Sequence, residues 1–176
     1  AQLDVVFECC GEQAALDQLR HGDVTAAFAA YREHGRVALS DDREGLRSQA
    51  IADWDALRHT GVTLMLSGTR AEAHQLNSIA RQLLADRGEL DVDRAVDVGG
   101  RSFAPGEHVI LRRNDPDQRL ADGAPFGVDN GMRGQLTRID SVGLHLTLTT
   151  GERIVLDRDY IERGWLDYGY ASTVHS

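Results

Sequence analysis

The sequence predicts an α/β protein: a helical first third, one strand–turn–helix unit and a module of short strands. Three observations carry that reading. Apolar residues recur at helical spacing as far as Leu57. A nearly continuous apolar run, Val62–Leu66, then leads through a tight turn into a capped helical stripe. From Arg101 onward, β-prone runs follow one another between glycine turns. The 176 residues can bury a sizeable core, and 41% apolar with 27% charged residues is a globular composition.

Asp23 is placed to cap a helix in which Val24, Ala27, Phe28 and Tyr31 form one apolar stripe, ended near Gly35. A second helix starts near Ser40, with Asp41 and Glu44 as a capping pair and Leu46, Ala50, Trp54 and Leu57 as its inner face. Both helices read as packing or connecting structure. The strand Val62–Leu66 turns through Ser67-Gly68, and Thr69 with Glu72 has capping-box spacing. Leu76, Ile79, Ala80, Leu83 and Leu84 continue that helix to Gly88. A turn at the carboxyl end of such a strand is where open α/β sheets bind ligands.

Pro105-Gly106, Asn130-Gly131, Gly134, Gly143 and Thr150-Gly151 separate the runs His108–Arg112, Gln135–Ile139, Leu144–Leu148 and Arg153–Leu156. Closely spaced short strands predict a small barrel, with the polar stretch 115–129 as a long loop in it. Tyr168–His175 resumes a different pattern and stops without a helix terminus.

All 19 basic residues are Arg, which fits a GC-rich coding bias. The lack of Lys excludes Schiff-base chemistry and a P-loop lysine, so ATP hydrolysis by this chain alone is not expected. The net charge of −9 gives no overall attraction for nucleic acid. The excess acid sits mainly before residue 101, leaving room for a basic strip only beyond it. Adjacent Cys9 and Cys10 read as free thiols, and no His, Cys or carboxylate spacing forms a metal site. No apolar run approaches the roughly 18 residues of a membrane span, nor is there a signal pattern, so the expected location is cytoplasmic, with no membrane contact.

Three segments carry a family resemblance. Leu64-Met65-Leu66-Ser67-Gly68-Thr69-Arg70 with Leu76-Asn77 resembles helicase motif IV. Val109–Asp115 with Gly127–Gly134 is similar to an inserted SH3-like barrel, and Asp167–His175 resembles motif V. Together with Tyr31-Arg32-Glu33-His34-Gly35-Arg36, their order resembles the C-terminal helicase part of RecD-like superfamily 1B helicases, in particular conjugative relaxases of the TraA/TrwC kind. The resemblance implies a helical connecting segment over 1–60 and a partial second RecA-like domain from 61–100 with 166–176. An SH3-like barrel over 101–165 would be inserted between them. The family continues motif V with a Lys and a Gln-Gly pair, where this chain has Ser176 and ends; Walker motifs and motif VI have no counterpart. The chain therefore reads as a fragment of a larger motor.

The resemblance implies that Arg70 is an arginine finger, beside nucleotide-proximal Gly68 and Thr69, serving ATP and Mg held by a missing first RecA-like domain. The plainer reading of Arg70 is a solvated first-turn residue, an unfavourable place for a cation. Thr173 and His175 resemble residues that grip single-stranded DNA; a buried strand end is the alternative. Arg112, Arg113, Asn114 and Arg133 are candidates for a strip tracking the DNA backbone, with Phe126 as a stacking platform. A charged barrel edge explains the same residues. Binding of single-stranded DNA by the isolated chain should be weak, without a cofactor. The competing function class is a stand-alone, non-enzymatic SH3-like interaction module.

Overall fold

The computed structural model describes residues 10–61 and 63–173. In chain order the helices and strands are α1 (Cys10–Arg20), α2 (Val24–Glu33), α3 (Arg43–Leu57), β1 (Met65–Ser67), α4 (Arg70–Asp86), β2 (Val96–Val98), β3 (Arg101–Phe103), β4 (His108–Leu111), β5 (Arg119–Leu120), β6 (Arg133–Ile139), β7 (Leu144–Leu148), β8 (Arg153–Leu156), α5 (Arg158–Glu162), β9 (Leu166–Tyr168) and β10 (Ala171–Thr173). They fall into two compact units, residues 1–48 and 49–176. No helix among the described residues is long and apolar enough to cross a membrane.

In the first unit α1 and α2 form a helical hairpin through His21-Gly22-Asp23, with Gly22 at φ +83°. The Asp23 carboxylate accepts the Ala26 N–H at 3.0 Å, which satisfies one of the donors a helix start leaves unpaired. The expected apolar stripe is only partly used. Ala27 is buried, whereas Val24 is 62% and Phe28 45% exposed, because the pair closes on the small residues Ala15 and Ala27. The start of α3 falls one residue beyond the expected pair: Asp42, not Asp41, accepts the Glu44 N–H, at 3.1 Å.

In the second unit β1 and β10 pair in parallel, Met65 opposite Ala171 and Ser67 opposite Thr173. This joins the two segments, 61–100 and 166–176, that the resemblance assigns to one domain; Val62 and Val174 lie outside the described residues. α4 covers the pair, capped by Thr69, whose hydroxyl accepts the Glu72 N–H at 3.2 Å. Asn77 on α4 takes the place of a further strand. Its Nδ2 donates to Ala171 O at 3.0 Å, and its Oδ1 accepts the N–H groups of Tyr170 and Ala171 at 3.1 and 2.8 Å.

Between the paired strands the chain builds the β2–β3 hairpin and a six-stranded antiparallel sheet in the order β5-β8-β7-β6-β4-β9. Leu144, Leu146 and Leu148 alternate inward along β7 and meet Leu136, Ile154 and Leu156 in one core. Gly134 is required in β6, since a Cβ there would lie 2.6 Å from the Thr147 carbonyl oxygen. Among the described residues no ladder joins the edge strands β5 and β9, so the expected barrel is not closed by hydrogen bonds. The stretch 115–129 is more ordered than a plain loop: it holds β5 and the bridge between Asp115 and Val128. Phe126 packs against the sheet core rather than standing out as a platform. The sheet also reaches beyond residue 165, because β9 pairs with β4.

A second core gathers Ile51, Trp54, Met65, Leu76, Ala80, Leu84 and Tyr170. Fully buried Glu107 ties this core to the sheet. It accepts from Arg81 Nε at 2.7 Å and from the Tyr170 hydroxyl at 2.5 Å. Desolvation by burial raises its pKa, and the two donors offset part of that cost.

At the end of α3, Arg58 forms a fork on Glu89, at 2.8 and 2.6 Å, and donates to Asp55 at 2.8 Å; Arg87 reaches the same Asp55 oxygen at 2.7 Å. The hydrogen bonds from Arg58, and for Asp55 also from Arg87, hold both carboxyls below their ordinary values of 3.8 and 4.5. Depressed acids stabilise the fold fully above those ordinary values and lose that contribution as pH falls through the lower folded ones. Thermal unfolding across the acid range should therefore show a declining acid limb that Arg58→Gln flattens.

Candidate functional site

An open groove of about 400 Å³ lies at the carboxyl ends of β1 and β10 and the start of α4. Arg70, Ala73, His74, Asn77, Arg101, Arg112, Asn130, Asp167 and Thr173 line it. Arg70, Ala73, His74 and Asn77 come from α4, and the others arrive from separate strands and turns, each for a local reason. Ser67 Oγ donates to Thr69 O at 3.0 Å, which fixes the turn and sets Arg70 as the first residue of α4. Gly68 has open space around it. Arg112 follows β4, its N–H donating to Trp165 O at 2.7 Å. Gly131, at φ +93°, lets the chain double back so that its N–H meets Leu111 O and Asn130 faces the groove.

The charge is lopsided: Arg70, Arg101 and Arg112 face the lone carboxylate Asp167 among the described lining residues. Asp167 lies 3.7 Å from Arg101 Nε and 3.6 Å from Arg112 Nη2, too long for strong ion pairs. Arg101 is steadied further by donating to Leu166 O at 3.0 Å. Arg70 is exposed and makes no hydrogen bond or ion pair among the described residues. Three guanidiniums around one carboxylate, beside a helix N-terminus, make an electropositive rim of the chemistry that suits phosphate-type anions.

The residues singled out from sequence divide into two sets. Arg70, Arg112 and Thr173 line this groove together. Thr69 serves as the cap of α4. Arg113 lies 5.9 Å over the Trp165 ring, and Asn114 Oδ1 accepts the N–H of the groove residue Asn130 at 2.7 Å; neither lines the groove itself. Arg133 lines a separate cavity. His175 lies outside the described residues. Arg101, His74, Asn130 and Asp167 escaped the sequence reading, for no periodicity links residues from 74 to 167 into one rim. No cluster among the described residues could hold a metal ion.

No protein-family profile matches the chain. It is 33% identical over 171 residues to the "Probable conjugal transfer protein TraA" of Sinorhizobium fredii, covering 92% of this chain and 14% of that protein. It is 29% identical to the "Conjugal transfer protein TraA" of Agrobacterium fabrum, covering 99% of this chain and 16% of that one. The chain is homologous to a segment of the TraA conjugal transfer proteins. The match to these TraA proteins includes nearly every element described above, while spanning 14% to 16% of their length. The crystal structure of Bacteroides sp Pif1 in complex with ADP-AlF4 aligns over 78% of this TraA-related chain and 36% of that one, at 16% identity. Its TM-score of 0.42 is too low to establish a common fold.

Proposed function

We propose that the chain is the part of a TraA-type DNA helicase and relaxase that builds most of a second RecA-like motor domain, with the coiled antiparallel sheet as its SH3-like insertion. In that reading Arg70, next to Gly68 and Thr69, faces ATP and Mg bound by a preceding RecA-like domain. Arg112 and Thr173 meet the phosphates of single-stranded DNA in the cytoplasm, flanked by Arg113 and Asn114. The observation that supports it is the groove itself, which brings Arg70, Arg112 and Thr173 to one rim. Coupling hydrolysis to strand movement needs nucleotide-facing and strand-facing groups side by side, because phosphoryl transfer is driven by placed charge.

The reading is tested with fluorescent oligothymidine and this chain. Binding should be weak, of micromolar affinity or worse at physiological salt, as for non-specific phosphate contacts. In Arg112→Ala the slope of log affinity against log salt should fall by about 0.7, the value of one lost phosphate contact on a single strand. An unchanged slope moves the DNA surface elsewhere.

A further inference from the structure

A second cavity, of about 410 Å³, shares no lining residue with the groove. Trp54, Arg58, His108, Arg133, Thr149 and Tyr170 are among its walls, and no carboxylate lines it among the described residues. Its size and its mainly apolar lining are those of small-molecule pockets. Arg58 is already neutralised by its fork on Glu89 and by Asp55. Arg133 is not. Its Nε is buried without a hydrogen-bond partner, and its side chain makes no ion pair among the described residues. Burial and the like charge of Arg112 pull its pKa down, which marks the cation as costly where it stands.

An unpaired, half-buried guanidinium detracts from folding unless something outside the chain pairs its Nη groups, the sealed Nε being closed to any ligand. We propose that this cavity binds a phosphate-class oxyanion on the Arg133 guanidinium. The planar fork of Arg matches two oxygens of a phosphate, which a point charge does not. Thr149 lines the same cavity, and the exposed lining is mainly apolar, a surface for the body of a phosphate ester. With a net charge of −9 on the whole chain, capture must rely on this short-range contact rather than on attraction from a distance.

The test is calorimetric titration of the whole chain with inorganic phosphate and with AMP, alongside melting temperatures without anion. Both ligands should bind saturably, and Arg133→Met should weaken binding by about tenfold or more, the loss expected for a charged hydrogen bond. Arg138→Met removes the same charge from an exposed position and should leave binding unchanged. Arg133→Met should also melt above the parent chain, since it removes the unpaired cation but keeps an apolar stem of similar length. Tighter binding of AMP than of phosphate identifies an ester with an apolar body; equal binding identifies the free oxyanion. The proposal is overturned by no saturable binding, by equal loss in Arg138→Met, by binding that survives Arg133→Met, or by a lowered melting temperature of that variant.

Discussion

Arg70→Ala in a full-length TraA protein should cut DNA-stimulated ATP hydrolysis by about 10³-fold or more, the contribution of an arginine finger, while single-stranded DNA affinity changes little. The asymmetry follows from placement. Arg70 is exposed and unpaired at the first position of α4, so it contributes no packing to the fold. A cation at a helix N-terminus opposes the macrodipole, and its removal should leave stability unchanged or slightly raised. Lost activity therefore cannot be assigned to unfolding. Arg70→Lys supplies charge without the planar fork and should recover only part of the rate. The measurement is kcat and KM for ATP with saturating DNA, beside oligonucleotide binding. Hydrolysis within tenfold of the parent in Arg70→Ala would remove the finger from the mechanism, leaving Arg70 as a DNA contact or a solvated residue.

What the sequence displayed was local chemistry. Thr69 and Glu72 predicted the start of α4 because a cap is decided within one helical turn, and the structure has that hydrogen bond. The β-prone run Leu144–Leu148, bounded by Gly143 and Thr150-Gly151, predicted β7 to the residue, because turn chemistry is equally local. Predicted burial of Val24 and Phe28 failed for the converse reason. A helical stripe says which residues share a face, not whether a partner covers it, and α2 meets α1 through alanines. Closure of the sheet was equally out of reach, for edge pairing depends on coiling accumulated over all its strands. The groove was half legible. Arg70, Arg112 and Thr173 stood out as candidates, whereas Asp167 gains meaning only when β9 lies beside β4, and Arg101 only when the β2–β3 hairpin brings it to the same rim.

Asn77→Leu should destabilise the second unit by about 3–5 kcal/mol, although Leu is the better helix former and similar in size. The Asn77 carboxamide pairs three main-chain groups at once: the Tyr170 N–H, the Ala171 N–H and the Ala171 carbonyl. Tyr170 and Ala171 are both buried, so water cannot replace it. Each orphaned group costs roughly 1–3 kcal/mol, far more than the few tenths gained in propensity. Asn77→Asp keeps the acceptor for both N–H groups but loses the donor to the carbonyl and places a carboxylate in the core. It should also destabilise, and more so as the acid ionises, because desolvation opposes the charged form. Thermal unfolding should register Asn77→Leu as a fall on the order of 10 °C. A melting temperature within a degree or two of the parent would mean that β10 finds another partner. The consequence extends to the groove, for β10 carries Thr173 to its rim beside Arg70 and Arg112. A loosened β10 should therefore weaken oligonucleotide binding in Asn77→Leu even at temperatures where the variant remains folded.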